Sequence, residues 1–153
     1  MLLYLMRHGD ALQGANDSQR SLSEKGRQDI ARVAQFLLQK QAQVDIFYHS
    51  PKKRALETAE IVREILNPQA VIEAKDGLAP NDSVENILPD MARWKKNTMV
   101  VSHLPFVSKL ASRLVTGRED ESLVSMPAGT VVILKNSDSS WKIEGIVFPE
   151  QIS

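Results

Sequence analysis

Two histidines and two arginines stand where a layered fold could gather them. Arg7-His8-Gly9 follows the apolar run Leu2 to Met6, Ser50-Pro51 and Arg54 follow Val44 to His49, and Ser102-His103 closes the run Thr98 to Ser102. Imidazole is the side chain best suited to act as nucleophile or base near neutral pH. The guanidinium fork matches the oxygens of a tetrahedral anion. Together they suit phosphoryl chemistry, in which charge spreads over equatorial oxygens and the protein mainly positions and stabilises. Each residue alone has a plainer explanation: a surface ion pair for Arg7, a core histidine for His8, a strand cap for His103, a turn for Gly9. The functional case rests on their joint position, just past the ends of successive strand-like runs.

The elements that must position them alternate. Leu2 to Met6 is a short continuous apolar run, as expected of a strand buried on both faces. Between Ser23 and about Lys40, Ile30, Val33, Leu37 and Leu38 recur at helical spacing, with Ser23 as N-cap. Val44 to His49 is a second strand, ended by Ser50-Pro51, where serine caps and proline suits the first helical position. The following helix carries Leu56, Ala59, Val62 and Leu66 on one face and stops before Asn67-Pro68. Ala70 to Ala74 is a third strand, and a weaker helix falls within Ser83 to Trp94. Thr98 to Ser102 is a fourth strand. The helix after His103-Leu104-Pro105 turns Phe106, Leu110 and Leu114 inward and ends at Gly117. Val131 to Leu134 and Lys142 to Val147 form an antiparallel pair around the turn-rich Asn136 to Ser140.

This alternation predicts an α/β/α three-layer domain with a mixed, mostly parallel central sheet. In open α/β sheets, ligands sit beyond the carboxyl ends of the strands. If the three strands are parallel neighbours, the imidazoles and guanidiniums share one crevice. A helix N-terminus at Ser50-Pro51 would add partial positive charge there.

Composition narrows the function classes. The 153 residues fit one domain, expected to span 1–153. Nineteen Lys and Arg balance nineteen Asp and Glu, so the basic excess of dedicated nucleic-acid binders is missing. With no cysteine, disulfides, iron–sulfur clusters and thiolate chemistry are excluded. No apolar run reaches the length of a bilayer span, and Met1 to Met6 is too short for a signal peptide core. The expectation is a cytoplasmic protein with no nucleic-acid or membrane partner.

The motifs resemble those of the histidine phosphatase superfamily, which includes the phosphoglycerate mutases, and in particular its SixA-type phosphohistidine phosphatases. The matching segments are Leu5-Met6-Arg7-His8-Gly9-Asp10-Ala11, Arg20-Ser21-Leu22-Ser23-Glu24-Lys25-Gly26, Ser50-Pro51-Lys52-Lys53-Arg54-Ala55-Leu56-Glu57-Thr58-Ala59 and Val101-Ser102-His103-Leu104-Pro105. Pro127-Ala128-Gly129-Thr130 fits a weaker late motif. They run in family order over nearly the whole chain.

The resemblance implies a phosphoglycerate mutase-like fold and a phosphatase working through a covalent phosphohistidine. It makes His8 the nucleophile and places Arg7, Arg54 and His103 around the phosphoryl oxygens. Arg20 is a further ligand, and Gly9 and Ser50 belong to the substrate-binding set. Neighbouring arginines oppose protonation of His8 and so favour its reactive form. No metal or cofactor is expected, since arginines supply the positive charge. His49 cannot complete a metal site and is expected to line the rim or pack at the strand end.

One departure is informative. Many members carry a glutamate general acid in a Leu-x-Glu context after the third strand, where this chain has Leu78-Ala79-Pro80. An alcohol leaving group gains on the order of 10²–10⁴-fold from such an acid. A phosphoramidate, which leaves as imidazole once protonated, depends on it less. Asp10, Asp82 and Glu85 are the candidate substitutes. Asp76 to Trp94 is also too short for a cap insertion. Both features point to protein phosphohistidine, for example on a histidine phosphotransfer domain. A small phosphorylated substrate remains the alternative, and a non-catalytic phospho-binding module is the reading from another class.

Overall fold

The computed structural model describes residues 1–14, 16–120 and 123–152. Six strands form one sheet in the order β3-β2-β4-β1-β5-β6: β1 (Leu2–Arg7), β2 (Ile46–His49), β3 (Val71–Ala74), β4 (Thr98–Ser102), β5 (Val131–Ser137) and β6 (Ser140–Val147). The first four are mutually parallel; β5 runs antiparallel to β1, and β6 to β5. The helices are α1 (Glu24–Gln39), α2 (Lys53–Leu66), α3 (Leu88–Met91) and α4 (Phe106–Thr116).

Alternation along the central strands builds two cores. Tyr4 and Met6 of β1, Phe47 of β2 and Met99 and Val101 of β4 pack against Ile30, Val33 and Leu37 of α1 and Ala55, Ala59 and Val62 of α2. Leu3, Leu5 and Val100 face the other way, onto Leu78, Val84, Met91, Phe106, Val107 and Leu110. The three-layer α/β/α architecture with its mixed, mostly parallel sheet therefore follows from period-2 strands clamped between period-3.6 helices. Among the described residues, no helix is long and apolar enough to cross a membrane.

Local chemistry sets most boundaries. Ser23 Oγ accepts the Gly26 N–H at 3.0 Å and starts α1. Gly117, at φ 82°, ends α4, because a residue without Cβ enters the left-handed region freely. The weaker helix expected within Ser83 to Trp94 is present as the single-turn α3, with Pro89 in its first turn and a 3₁₀ turn (Val84–Asn86) ahead of it. Three expectations are adjusted. Helix α2 begins at Lys53 with Lys52 as its cap residue, not at Ser50-Pro51, because Ser50 Oγ accepts the Lys52 N–H at 3.3 Å and holds an extra turn ahead of the helix. The final hairpin is longer than expected: Asp138 (φ 50°) and Ser139 (φ 68°) both occupy the left-handed region, a two-residue turn of type I′ that lets pairing continue to Ser137 and Ser140. Leu38, counted with the inward face of α1, is 44% exposed.

Candidate active site

Strand β4 lies between β1 and β2, so the carboxyl ends of all three adjoin. Arg7 is level with Ser102, and His49 with Val101. The chain leaves the sheet through cross-strand hydrogen bonds: His8 N–H donates to Ser102 O and Ser50 N–H to Val101 O, both at 3.0 Å. The late motif closes the other side, where the Gly129 N–H reaches both Arg7 O (3.1 Å) and His8 O (3.0 Å). The His8 and His103 rings end with their centroids 5.0 Å apart.

The hydrogen bonds around His8 define its tautomer. Nδ1 lies 2.7 Å from Gly9 O, which can only accept, so Nδ1 carries the proton. Nε2 then holds a lone pair and accepts Arg54 Nε–H at 3.3 Å. Burial above all, reinforced by the charges of Arg54, Arg7 and Arg20, pushes His8 down to about 4, against the opposing pull of the Gly9 carbonyl. The ring is neutral at physiological pH, with the lone pair of Nε2 directed at a cationic neighbour. Its chemical capability is nucleophilic attack on an electrophile that the arginines can hold.

His103 sits on the opposite side. Its Nε2 lies 2.8 Å from Ser50 Oγ, and burial followed by the charges of His8, Arg54 and Lys52 pushes it down to about 3. Arg7 donates from Nη1 to Met126 O at 3.0 Å. Arg7 Nε and His103 Nδ1 are buried without a hydrogen-bond partner among the described residues. Such orphaned polar atoms are rare in packing made for stability alone.

Arg54 is the second residue of α2, which points it back over the sheet end. Besides His8 it meets Asp17, from the loop between β1 and α1: Nη1 donates to Asp17 O at 2.8 Å and Nη2 to Oδ2 at 3.4 Å. Arg20, on the same loop, donates from Nε to Leu12 O (2.8 Å) and from Nη1 to Asp17 Oδ1 (3.2 Å). Gly9 joins the cluster with its N–H given to Thr58 Oγ1 at 3.1 Å, while the Thr58 hydroxyl donates to Arg54 O.

Arg7, His8, Gly9, Arg20, Ser50, Arg54 and His103 thus converge. The candidate proton donors are differently engaged: Asp10 accepts the Ser23 hydroxyl at 2.6 Å, Asp82 accepts the Ala79 N–H at 2.9 Å, and Glu85 pairs with Arg113 at 2.8 Å. His49 packs at the end of β2, its Nδ1 2.8 Å from Ser50 O. Asp17, Lys52 and Thr58 were not singled out by the sequence. Lys52 and Thr58 lie inside the matching segment Ser50 to Ala59, which was the signal that could have found them, whereas Asp17 stands three positions before Arg20 with nothing local to mark it.

The site and fold define a class. Residues 3–79 match the family model of the histidine phosphatase superfamily (branch 1), and the chain belongs to that superfamily. It is a phosphatase. Among individual relatives, the phosphohistidine phosphatase SixA of Escherichia coli (strain K12) is 27% identical over 146 residues, covering 92% of this chain and 91% of that protein. An uncharacterised protein of Picosynechococcus sp. is 32% identical over 139 residues, 86% of this chain and 83% of the other. A structure of the protein histidine phosphatase SixA complexed with tungstate matches with a TM-score of 0.88 at 26% identity, covering 97% of each chain. An alpha-ribazole phosphatase from Shigella flexneri shares the fold, with a TM-score of 0.79 at 15% identity over 97% of each chain.

Proposed function

We propose that this phosphatase removes phosphoryl groups from protein-borne phosphohistidine by way of a covalent intermediate on His8. The observation that carries the reading is the His8 tautomer, with Nδ1–H held by the Gly9 carbonyl and a lone pair on Nε2 facing Arg54. In the first step Nε2 attacks phosphorus, and the P–N bond to the substrate imidazole breaks with its electron pair. That imidazole leaves neutral, having been protonated on its other nitrogen. In the second step water attacks the phosphorus of phospho-His8, Nε2 recovers its lone pair, and the water proton leaves with inorganic phosphate or to solvent. Arg7, Arg54 and His103, with Arg20 beside them, neutralise the equatorial oxygens throughout, so no metal is called for.

The choice of a phosphoramidate rests on leaving-group chemistry. Asp10, Asp82 and Glu85 each hold a local hydrogen bond or ion pair, which favours a substrate that needs little acid assistance. Between β3 and β4 the chain makes only a 3₁₀ turn and the four-residue α3, in keeping with one domain whose pocket mouth is open to a protein surface. The relative named phosphohistidine phosphatase SixA supports the same class of substrate.

The test compares a phosphohistidine protein with small alcohol phosphates, in parallel with trapping of the phosphoenzyme. Expected are faster turnover of the phosphoramidate, label on the enzyme that is acid-labile and base-stable, no label in His8→Ala, and activity that survives EDTA. Efficient hydrolysis of alcohol phosphates with no action on phosphohistidine overturns the substrate assignment. Phosphate binding without label or turnover overturns the catalytic one.

A further inference from the structure

Asp17 is the one acidic side chain in contact with Arg54 among the described residues, and it touches more than Arg54. Its Oδ2 lies 2.7 Å from Lys52 Nζ and 3.4 Å from Arg54 Nη2, and its Oδ1 lies 3.2 Å from Arg20 Nη1. Three cations thus meet one carboxylate that is 55% exposed, while the Arg54 side chain is only 6% exposed. Exposed ion pairs contribute little to stability. The turn carrying Asp17 also has its own supports, which do not use this carboxylate: Asn16 Oδ1 accepts the Ser18 N–H at 3.2 Å and the Ser18 hydroxyl at 2.9 Å, and Arg20 N–H reaches Asp17 O at 3.3 Å. Convergence on Asp17 is therefore hard to explain as a staple for the loop.

The edges of the guanidinium give it a different purpose. A guanidinium can present either its end, through both Nη atoms, or its side, through Nε and one Nη. Asp17 engages both Nη atoms, with its carbonyl on Nη1 and its carboxylate on Nη2, while Nε meets His8 Nε2 at 3.3 Å. The end edge is taken, so the side edge faces the nucleophile.

We propose that Asp17 is a positioning residue for phosphoryl transfer: it orients the side edge of Arg54 onto the His8 reaction centre, and its negative charge tempers the affinity of the cationic pocket for phosphate. The proposal deepens the assignment of His8 as nucleophile and Arg54 as clamp, and rests on it. Lys52 foremost, then Arg20 and Arg54, hold the Asp17 carboxyl well below the usual carboxylate range, so the charge is present wherever the enzyme would work. Orientation and charge act in opposite senses on two measurable quantities. Losing the orientation slows the chemical step, and small misplacements cost up to about 10²-fold. Losing the charge strengthens the hold on a free dianion.

Asp17→Asn, nearly isosteric, and Asp17→Ala are compared with the wild type for kcat and for competitive inhibition by inorganic phosphate. Expected is a kcat lower by about 10-fold or more in both, with a phosphate inhibition constant equal to or below that of the wild type. A purely structural carboxylate would loosen the pocket and raise that constant as kcat falls; this result overturns the proposal, as does a kcat within twofold of wild type in Asp17→Asn. Wild-type turnover in the same assay keeps the two levels apart. If the wild type shows no turnover, or turns over normally without a labelled His8, the underlying assignment fails; if it labels and turns over while Asp17→Asn matches it, only the role of Asp17 fails.

Discussion

The Gly26 Cα and the Asp10 backbone are in direct contact: a Cβ placed on Gly26 would lie 2.1 Å from Asp10 O. Helix α1 is thereby pressed against the segment that carries His8. Glycine inside a helix normally costs about 1 kcal/mol relative to alanine, so Gly26→Ala would be stabilising on propensity alone. The clash is with backbone, which cannot rotate away, and overpacking of this kind costs about 1–3 kcal/mol. The clash wins. We expect Gly26→Ala to lower Tm and to lower activity with it, since Asp10 is two residues from His8. Denaturation and turnover measurements check this; an alanine variant as stable as wild type would mean that the contact relaxes without cost.

The histidines make the site sensitive to acid in a defined direction. His8 is pushed down to about 4 and His103 to about 3, from an ordinary value near 6.5. Between about pH 6.5 and those values the unfolded chain binds protons that the folded chain excludes. Stability therefore falls as pH is lowered through that window and levels off beneath it. NMR titration of the ring resonances should show His8 neutral down to about pH 5 in the phosphate-free protein. A midpoint at the ordinary histidine value would remove the electrostatic basis for a neutral nucleophile.

Arg54→Ala should lower turnover by on the order of 10² or more, in the range seen when a donor to a charged transition state is removed, and should weaken inhibition by phosphate. Arg54→Lys should recover little, because an ammonium cannot replace Nε and both Nη atoms at once. Steady-state kinetics with phosphate as competitor distinguish the two. Activity unchanged within error in Arg54→Ala takes the residue out of the site.

Ser50→Ala removes the hydroxyl that meets His103 Nε2 at 2.8 Å and the Lys52 N–H at 3.3 Å. His103 Nδ1 has no partner among the described residues, so neither ring nitrogen then keeps one. Leaving a buried polar group unsatisfied costs about 1–3 kcal/mol. A drop in stability of that size with a fall in kcat is expected, and Ser50→Thr should restore part of it if the hydroxyl is what matters. No difference between alanine and threonine would show that His103 is held by packing instead.

Much of this was legible in one dimension. Short continuous apolar runs marked β1 and β4, which are buried on both faces, and period-3.6 patterns marked α1 and α4, which bury one apolar face and have local stops at Ser23 and Gly117. The bounds of short pieces were less legible: a weak helix could be placed within Ser83 to Trp94, but a four-residue α3 preceded by a separate 3₁₀ turn is too short for a helical period to mark its ends. The true start of α2 was hidden because the Ser50 hydroxyl is shared between Lys52 and a histidine 53 residues away.

What the chain determined by itself is the chemistry on offer: imidazole and guanidinium at the ends of separate apolar runs, a serine beside one of them, and no thiol. These are properties of residue type and local spacing, and they survive without coordinates. Only the tertiary structure decided that β4 lies between β1 and β2, that Gly9 O selects the His8 tautomer, and that a loop aspartate takes one edge of Arg54. Such relationships join residues 37 or more positions apart or hang on a single rotamer, and no local pattern encodes them, because their geometry exists only once both cores have packed against the sheet.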